Sequence, residues 1–359
     1  MKSGIFFKVS LFLLFILNYN KSLTQDTVIY NLLTENYVNR PNNVHRGQIQ
    51  VNTGYELSVF NKKFDIEGKV INLAKDGSSG IQHLFPVDIR FGILEHLQIS
   101  AGINYARTGI RERNVFIIGY DAGISINKLD EYKGPDNLNL GLSFRVPLGL
   151  KCIDWTMYGN FLLPVFNPEP DQPNHTINSF EDSGATLSWI SYYYRNKFAS
   201  DILSGVLGTR LKFNTSNFSA AISGNFSTGL TEGKNILWRC NLIEDEFDYY
   251  SEEFTYKYGH RIEYNTLFAY QAINWFTVQL FIDGSNTFGG WSNVTGKKVG
   301  YRSENLISGG IGYEILASPH LRLFQTIDIP FWGENIIGSM IIHTGISLNF
   351  ISDTYYNLF

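Results

Sequence analysis

Charge is what this chain has least of: Asp, Glu, Lys and Arg make up only 17% of its 359 residues, against about 25% in an ordinary soluble domain. So few charges do not suit a solvated globular surface. The formal net charge of -4, with no stripe of Lys and Arg, excludes nucleic acid as a partner. Cysteine is scarce too. Cys152 and Cys240 are too few for a disulfide scaffold; they could pair in an oxidising compartment, and the sequence leaves that open. Long apolar runs are also missing. After the first twenty residues none reaches the roughly 20 residues a membrane helix needs. The seven histidines are scattered, with no H-E-x-x-H, no His/Cys cluster and no glycine-rich phosphate loop. No metal or other cofactor is therefore expected.

Aromatics, at 15%, and 33 glycines are abundant instead. The N-terminus has the build of a secretory signal: Lys2 and Lys8 beside an apolar core at 9–16 (VSLFLLFI), too short to span a bilayer, then a polar stretch at 18–25. Cleavage is expected near Thr24 or Gln25, so residues 1–25 are read as signal peptide. No cysteine lies there to carry a lipid anchor.

Residues 137–150 (NLNLGLSFRVPLGL) carry the argument for fold. Leu138, Leu140, Leu142, Phe144, Val146, Leu148 and Leu150 occupy every even position; Asn, Gly, Ser, Arg and Pro occupy the odd ones. Successive strand residues face opposite sides, so one face is continuously apolar and the other polar or small. The pattern recurs from Asn217 and from Ile336. Related segments begin near Gln48, Leu84, Leu97, Val115, Met157, Ala185, Leu203, Ile262, Trp275, Leu306 and His320. Strands of a soluble sandwich average about 5–6 residues; these are long enough for the roughly 9–11 that cross a membrane. The expectation is an all-β, transmembrane, antiparallel up-and-down barrel of about fourteen strands, with twelve to sixteen allowed.

Outer-membrane barrels have short periplasmic turns and longer external loops. With the first strand running outward from Gln48, turns at 94–96, 215–216, 273–274 and 317–319 fall in the periplasm, and 60–82, 231–260 and 287–304 fall outside. The stretch 166–184 then lands in the periplasm, where so long a loop strains the scheme. Segment 185–194 alternates poorly. Residues 26–46 are read as a periplasmic segment or plug, 47–350 as barrel and 351–359 as tail. Tyr105, Tyr120, Tyr264, Tyr270 and Tyr313 have outward parity and suit interfacial girdles.

Parity assigns to the lumen Glu56, Asp88, Arg90, Asp121, Arg145, Arg210, Lys212, Glu263, Asp283, Glu314, Arg322, Asp328 and His343. Both signs occur, which suits paired charges or a mixed-polarity constriction. Stretch 231–260 mixes acids with aromatics and reads as a solvated surface loop without EF-hand spacing. His343 lies between Ser339 and Ser347 on one strand, a poor arrangement for a lipase, whose Ser and His must meet. No G-x-S-x-G elbow is present, and no enzyme activity is expected.

Several residues resemble a family of bacterial outer-membrane proteins named for a MetA pathway of phenol degradation. They are Arg40-Pro41, Arg46-Gly47, Gln50 and Gly54-Tyr55 in the opening segment, the hairpin 89–105 (IRFGILEHLQISAGINY), and 145–149 (RVPLG). Val38-Asn39 stand where that family favours an acid before Arg-Pro. The terminal Phe359 resembles the signal by which barrel-assembly machinery recognises its clients. The resemblance implies residence in the outer membrane of a Gram-negative bacterium, lipid contact, and passage of small solutes, hydrophobic or aromatic ones among them. The other readings are a plugged structural or interaction barrel and, less favoured, an outer-membrane lipase.

Overall fold

The computed structural model describes residues 27–73, 79–118, 122–165, 175–180, 190–194, 201–243, 246–294 and 296–352. The signal segment, Tyr120, Asp121 and the terminal Phe359 lie outside them. A seven-residue helix α1 (Thr27–Leu33) precedes twelve strands that close into a ring. These are β1 (Gln48–Phe64), β2 (Ser79–Leu94), β3 (Leu97–Ile118), β4 (Leu138–Val146), β5 (Ile153–Leu163) and β6 (Ser204–Asn214). They continue with β7 (Phe218–Gly229), β8 (His260–Ile273), β9 (Phe276–Phe288), β10 (Glu304–Ser318), β11 (Leu321–Glu334) and β12 (Ile336–Ile351). Each pairs antiparallel with its neighbours in chain order. The ring closes where β1 pairs with β12, from Gln48 opposite Ile351 to Phe64 opposite Ile336. Closure leaves no free edge in the wall, the condition for strands in hydrocarbon.

The wall is inverted relative to a soluble protein. Leu140, Leu142, Phe144, Leu207, Ile222, Phe226, Leu280 and Ile311 point outward and are exposed, Leu207 to 70%. The buried side chains are mostly polar and face inward, among them Gln50, Lys212, Gln279, Glu314 and Arg322. An apolar exterior around a polar interior is what a bilayer requires. Tyr105, Trp155, Tyr264, Tyr270 and Trp275 are exposed on that outer face, as interfacial aromatics are. No described helix is long and apolar enough to cross a membrane.

Twelve strands rather than fourteen close the ring, at the low end of the expected range. Val115 opens no new wall strand. It belongs to the far end of β3, which pairs beyond the rim with Ala122–Pro135. Residues Ile190–Tyr194, the described part of the segment at 185, join a separate sheet. Removing these two strands reverses the direction assigned between them, so the connection from β5 to β6 leaves by the end of the barrel opposite the connection at 95–96. There His175–Phe180 pairs with the hairpin strand Ala122–Pro135. Period two exposes this error's cause: a hairpin in water alternates like one in a membrane.

Connections at 95–96, 147–152, 215–217, 274–275 and 319–320 are short and share one end of the barrel with α1 and the end of β12. The opposite end carries the long excursions. One of these, the acidic-aromatic stretch at 231–260, is a hairpin of Gly233–Ile243 and Glu246–Lys257 rather than a loop. It forms a five-stranded sheet with Ile190–Tyr194, Trp291–Val294 and Lys297–Gly300. The exception at that end is the single residue Asn335, held at φ 53°, a left-handed conformation that Asn tolerates better than most residues.

Candidate functional site: the barrel lumen

The lumen has two levels. At the end with the short connections the segment after α1 runs inside the wall. Arg40 donates from Nη1 and Nη2 to the two carboxylate oxygens of Glu314 on β10, at 3.1 and 2.9 Å. Burial alone would lower the Arg40 pKa; the Glu314 carboxylate more than offsets this, so it is raised and the guanidinium stays charged. Lys212 Nζ donates to the carbonyl oxygens of Tyr37 and Arg40, both at 2.7 Å. Arg322 Nη2 donates to those of Leu33 and Glu35 at 3.0 and 3.1 Å. Arg210 reaches the Tyr37 hydroxyl at 3.0 Å. Asp154 accepts from the Asn42 amide at 2.7 Å and from Arg145 Nε at 3.1 Å. Val38, fully buried, packs on Leu267, Ala269 and Phe281.

The segment leaves the lumen past Gly92, whose carbonyl accepts from the Gly47 amide at 2.8 Å. A Cβ on Gly92 would stand 2.0 Å from the His45 carbonyl oxygen, so only glycine admits so close a passage. The residues that carried the family resemblance therefore have physical work. Arg40 meets Glu314, Gly47 meets Gly92, and Gln50 donates to Asn349 at 3.0 Å.

Above this level the lumen opens into a cavity of about 860 Å³ whose wall includes Asn52, Asp88, Arg90, Asn137, Arg261 and His343. Arg90 Nε donates to Asp88 at 2.6 Å, and Asn52 donates to the same carboxylate at 3.2 Å. Arg261 pairs with Glu263 at 2.7 Å. A recess of about 340 Å³ on β7 to β12 holds Glu263, Asp283 and Asp328. There Asp283 accepts from Asn265, and Asp328 accepts from Ser308 Oγ at 2.8 Å. Glu56, on β1, accepts from Ser58 at 3.3 Å.

The candidate residues thus divide. Asp88, Arg90 and His343 line the open cavity, and Glu263, Asp283 and Asp328 the recess; Glu314 borders the cavity floor. Arg145, Arg210, Lys212 and Arg322 sit at the level of the N-terminal segment. Asp121 lies outside the described residues. His343 packs edge-on to Phe324, ring centroids 5.1 Å apart, and its buried Nε2 has no hydrogen-bond partner. The serine reading of β12 gains no His343–Ser contact. Parity reasoning passed over Asp154, Gln98 and Arg261. Asp154 had the signal, since it shares a face with Thr156, Tyr158 and Asn160 on one alternating strand.

No protein-family model and no curated protein matches the sequence. Solved structures do. An outer membrane channel from Pseudomonas putida F1 is similar over 85% of this chain and 96% of its own, at 8% identity and a TM-score of 0.57. A TodX mutant, described as a monoaromatic hydrocarbon channel, covers 86% and 91% at 9% identity with a TM-score of 0.47. The NanC porin covers 84% and 98% at 6% identity, TM-score 0.40. The first likeness shows the fold, that of an outer-membrane β-barrel; the other two fall below the score at which likeness carries weight.

Proposed function

We propose that this chain is an outer-membrane channel through which small solutes pass passively or with weak selectivity, with residues 27–46 acting as a plug at its periplasmic end. One observation carries the reading: a cavity of about 860 Å³, with Asn52, Asp88, Arg90 and Arg261 in its wall, stands above the segment. Hydroxyl, amide and charged groups lining a pore replace part of a solute's hydration. Hydrophobic and aromatic solutes, implied by the phenol-degradation resemblance, would meet Phe324, Tyr258 and Leu162 there. The apolar outer face suits outer-membrane lipid, and barrel-assembly machinery is the partner its insertion calls for.

A second reading is a barrel that stays plugged and serves as structure or as a base for its outer sheets. The bidentate Arg40–Glu314 pair favours it, because a buried pair of this geometry is hard to open. Conductance of the purified full-length protein in a planar bilayer separates the two. Stable open-channel steps support passage. A folded barrel that stays silent under every applied voltage supports the plugged structure.

A further inference from the structure

We propose that Arg210, Lys212 and Arg322 form an oxyanion-binding collar at the periplasmic end of the lumen, filled in the closed state by oxygens of the chain's own N-terminal segment. A small carboxylate solute takes their place when that segment withdraws. The inference rests on the passage reading and names the solute class that passage would favour.

Two of the three collar cations are buried, and all three hydrogen-bond to neutral acceptors. Lys212 is 3% exposed and Arg322 1%. Lys212 bridges two carbonyl oxygens at 2.7 Å, Arg322 Nη2 bridges two more at 3.0 and 3.1 Å, and Arg210 meets a phenol oxygen. Arg322 also reaches Asn349 Oδ1 at 3.3 Å, while its buried Nε has no hydrogen-bond partner. A buried cation whose hydrogen bonds all go to neutral groups is compensated only in part by carboxylates farther off. Two oxygens on one cationic nitrogen are also what a carboxylate presents, with a full charge in addition. The bonds to carbonyl oxygens are already charge-assisted on the donor side; a carboxylate adds the attraction between two full opposite charges.

The carboxylates of this level have other partners. Glu314 is held by Arg40, Asp154 by Arg145 and the Asn42 amide, and Glu35, on the segment itself, by His45. Withdrawal of the segment removes Arg40 and bares Glu314. Three collar cations then face one free carboxylate, with Arg145 and Asp154 still paired. The upper lumen has the opposite bias. Its bases Arg90 and Arg261 are paired with Asp88 and Glu263, while Asp283 and Asp328 have only neutral donors. Among the described lumen residues, the cations without a carboxylate hydrogen-bond partner are those of the collar, and an oxyanion finds its complement there.

The test uses the full chain carrying Arg40→Ser, which loosens the segment and leaves every collar residue in place. In a planar bilayer under a KCl gradient, the reversal potential should show a severalfold preference for chloride over potassium. Millimolar benzoate should reduce the chloride current. Adding Lys212→Gln and Arg322→Gln should abolish both effects, and Lys212→Arg should keep them. A preference for potassium, or a current indifferent to benzoate, overturns the collar without any need for the glutamine variants to fold. Selectivity unchanged in folded glutamine variants overturns it as well. A folded Arg40→Ser barrel that never conducts overturns the passage reading, and the collar with it.

Discussion

The lower and upper lumen are made of the same residue types and behave as different materials. Below, Glu314, Lys212 and Arg322 are buried, and each hydrogen-bonds to a segment that is not part of the wall. Above, Asp88 and Arg90 form a pair of similar length with side chains 30% and 40% exposed. What differs is exposure. An exposed pair gains little because solvent screens it, whereas a buried one stands or falls with its partner. The lower level should therefore behave as a folding contact and the upper level as a pore surface.

The largest effect should follow from breaking the lower level. Arg40→Ala strands Glu314, and a buried pair deprived of one member loses roughly 3–5 kcal/mol, less where part of it is exposed, as here. Hydrogen exchange in residues 27–46 should rise while the heat-modifiable mobility of the barrel stays native; protected amides there would refute the lower level's status. A smaller loss is expected at the passage point. Gly92→Ala forces a Cβ into the His45 carbonyl, an overpacking worth about 1–3 kcal/mol. It should loosen 44–47 with β1 to β3 intact, and native exchange at those amides would count against the close approach. The smallest effect on stability belongs above. Asp88→Asn with Arg90→Gln should shift unfolding by less than about 1 kcal/mol while changing single-channel current. A large loss of stability there would erase the contrast between the two levels.

Much of the wall was legible because a bilayer imposes a strict rule on alternating positions. Leu140, Leu142 and Phe144 stand exposed on one side of β4, as their even spacing implied. The count of strands was less legible, since Val115 lies in an alternating run that continues past the rim in water. The inner segment was hardest to read. Lys212 and Arg322 bind backbone carbonyls, and a carbonyl belongs to every residue, so nothing in residues 33–40 announces those partners. Arg40 could be singled out only through its resemblance motif, not through Glu314, which lies far away in sequence.

The seam between β1 and β12 has a consequence for assembly. It joins the beginning of the chain to its end, so the ring cannot be completed until the last strand has been delivered. Such pairing carries the highest contact order in the molecule and is expected to form late. On its inner side Gln48, Gln50 and Arg322 all converge on Asn349 Oδ1, and Leu33 packs against Ile351. The N-terminal segment thus docks on a surface that exists only after the circle is shut. Although translated before every strand, it is among the last pieces to find its place, and its seating reports that the barrel is whole.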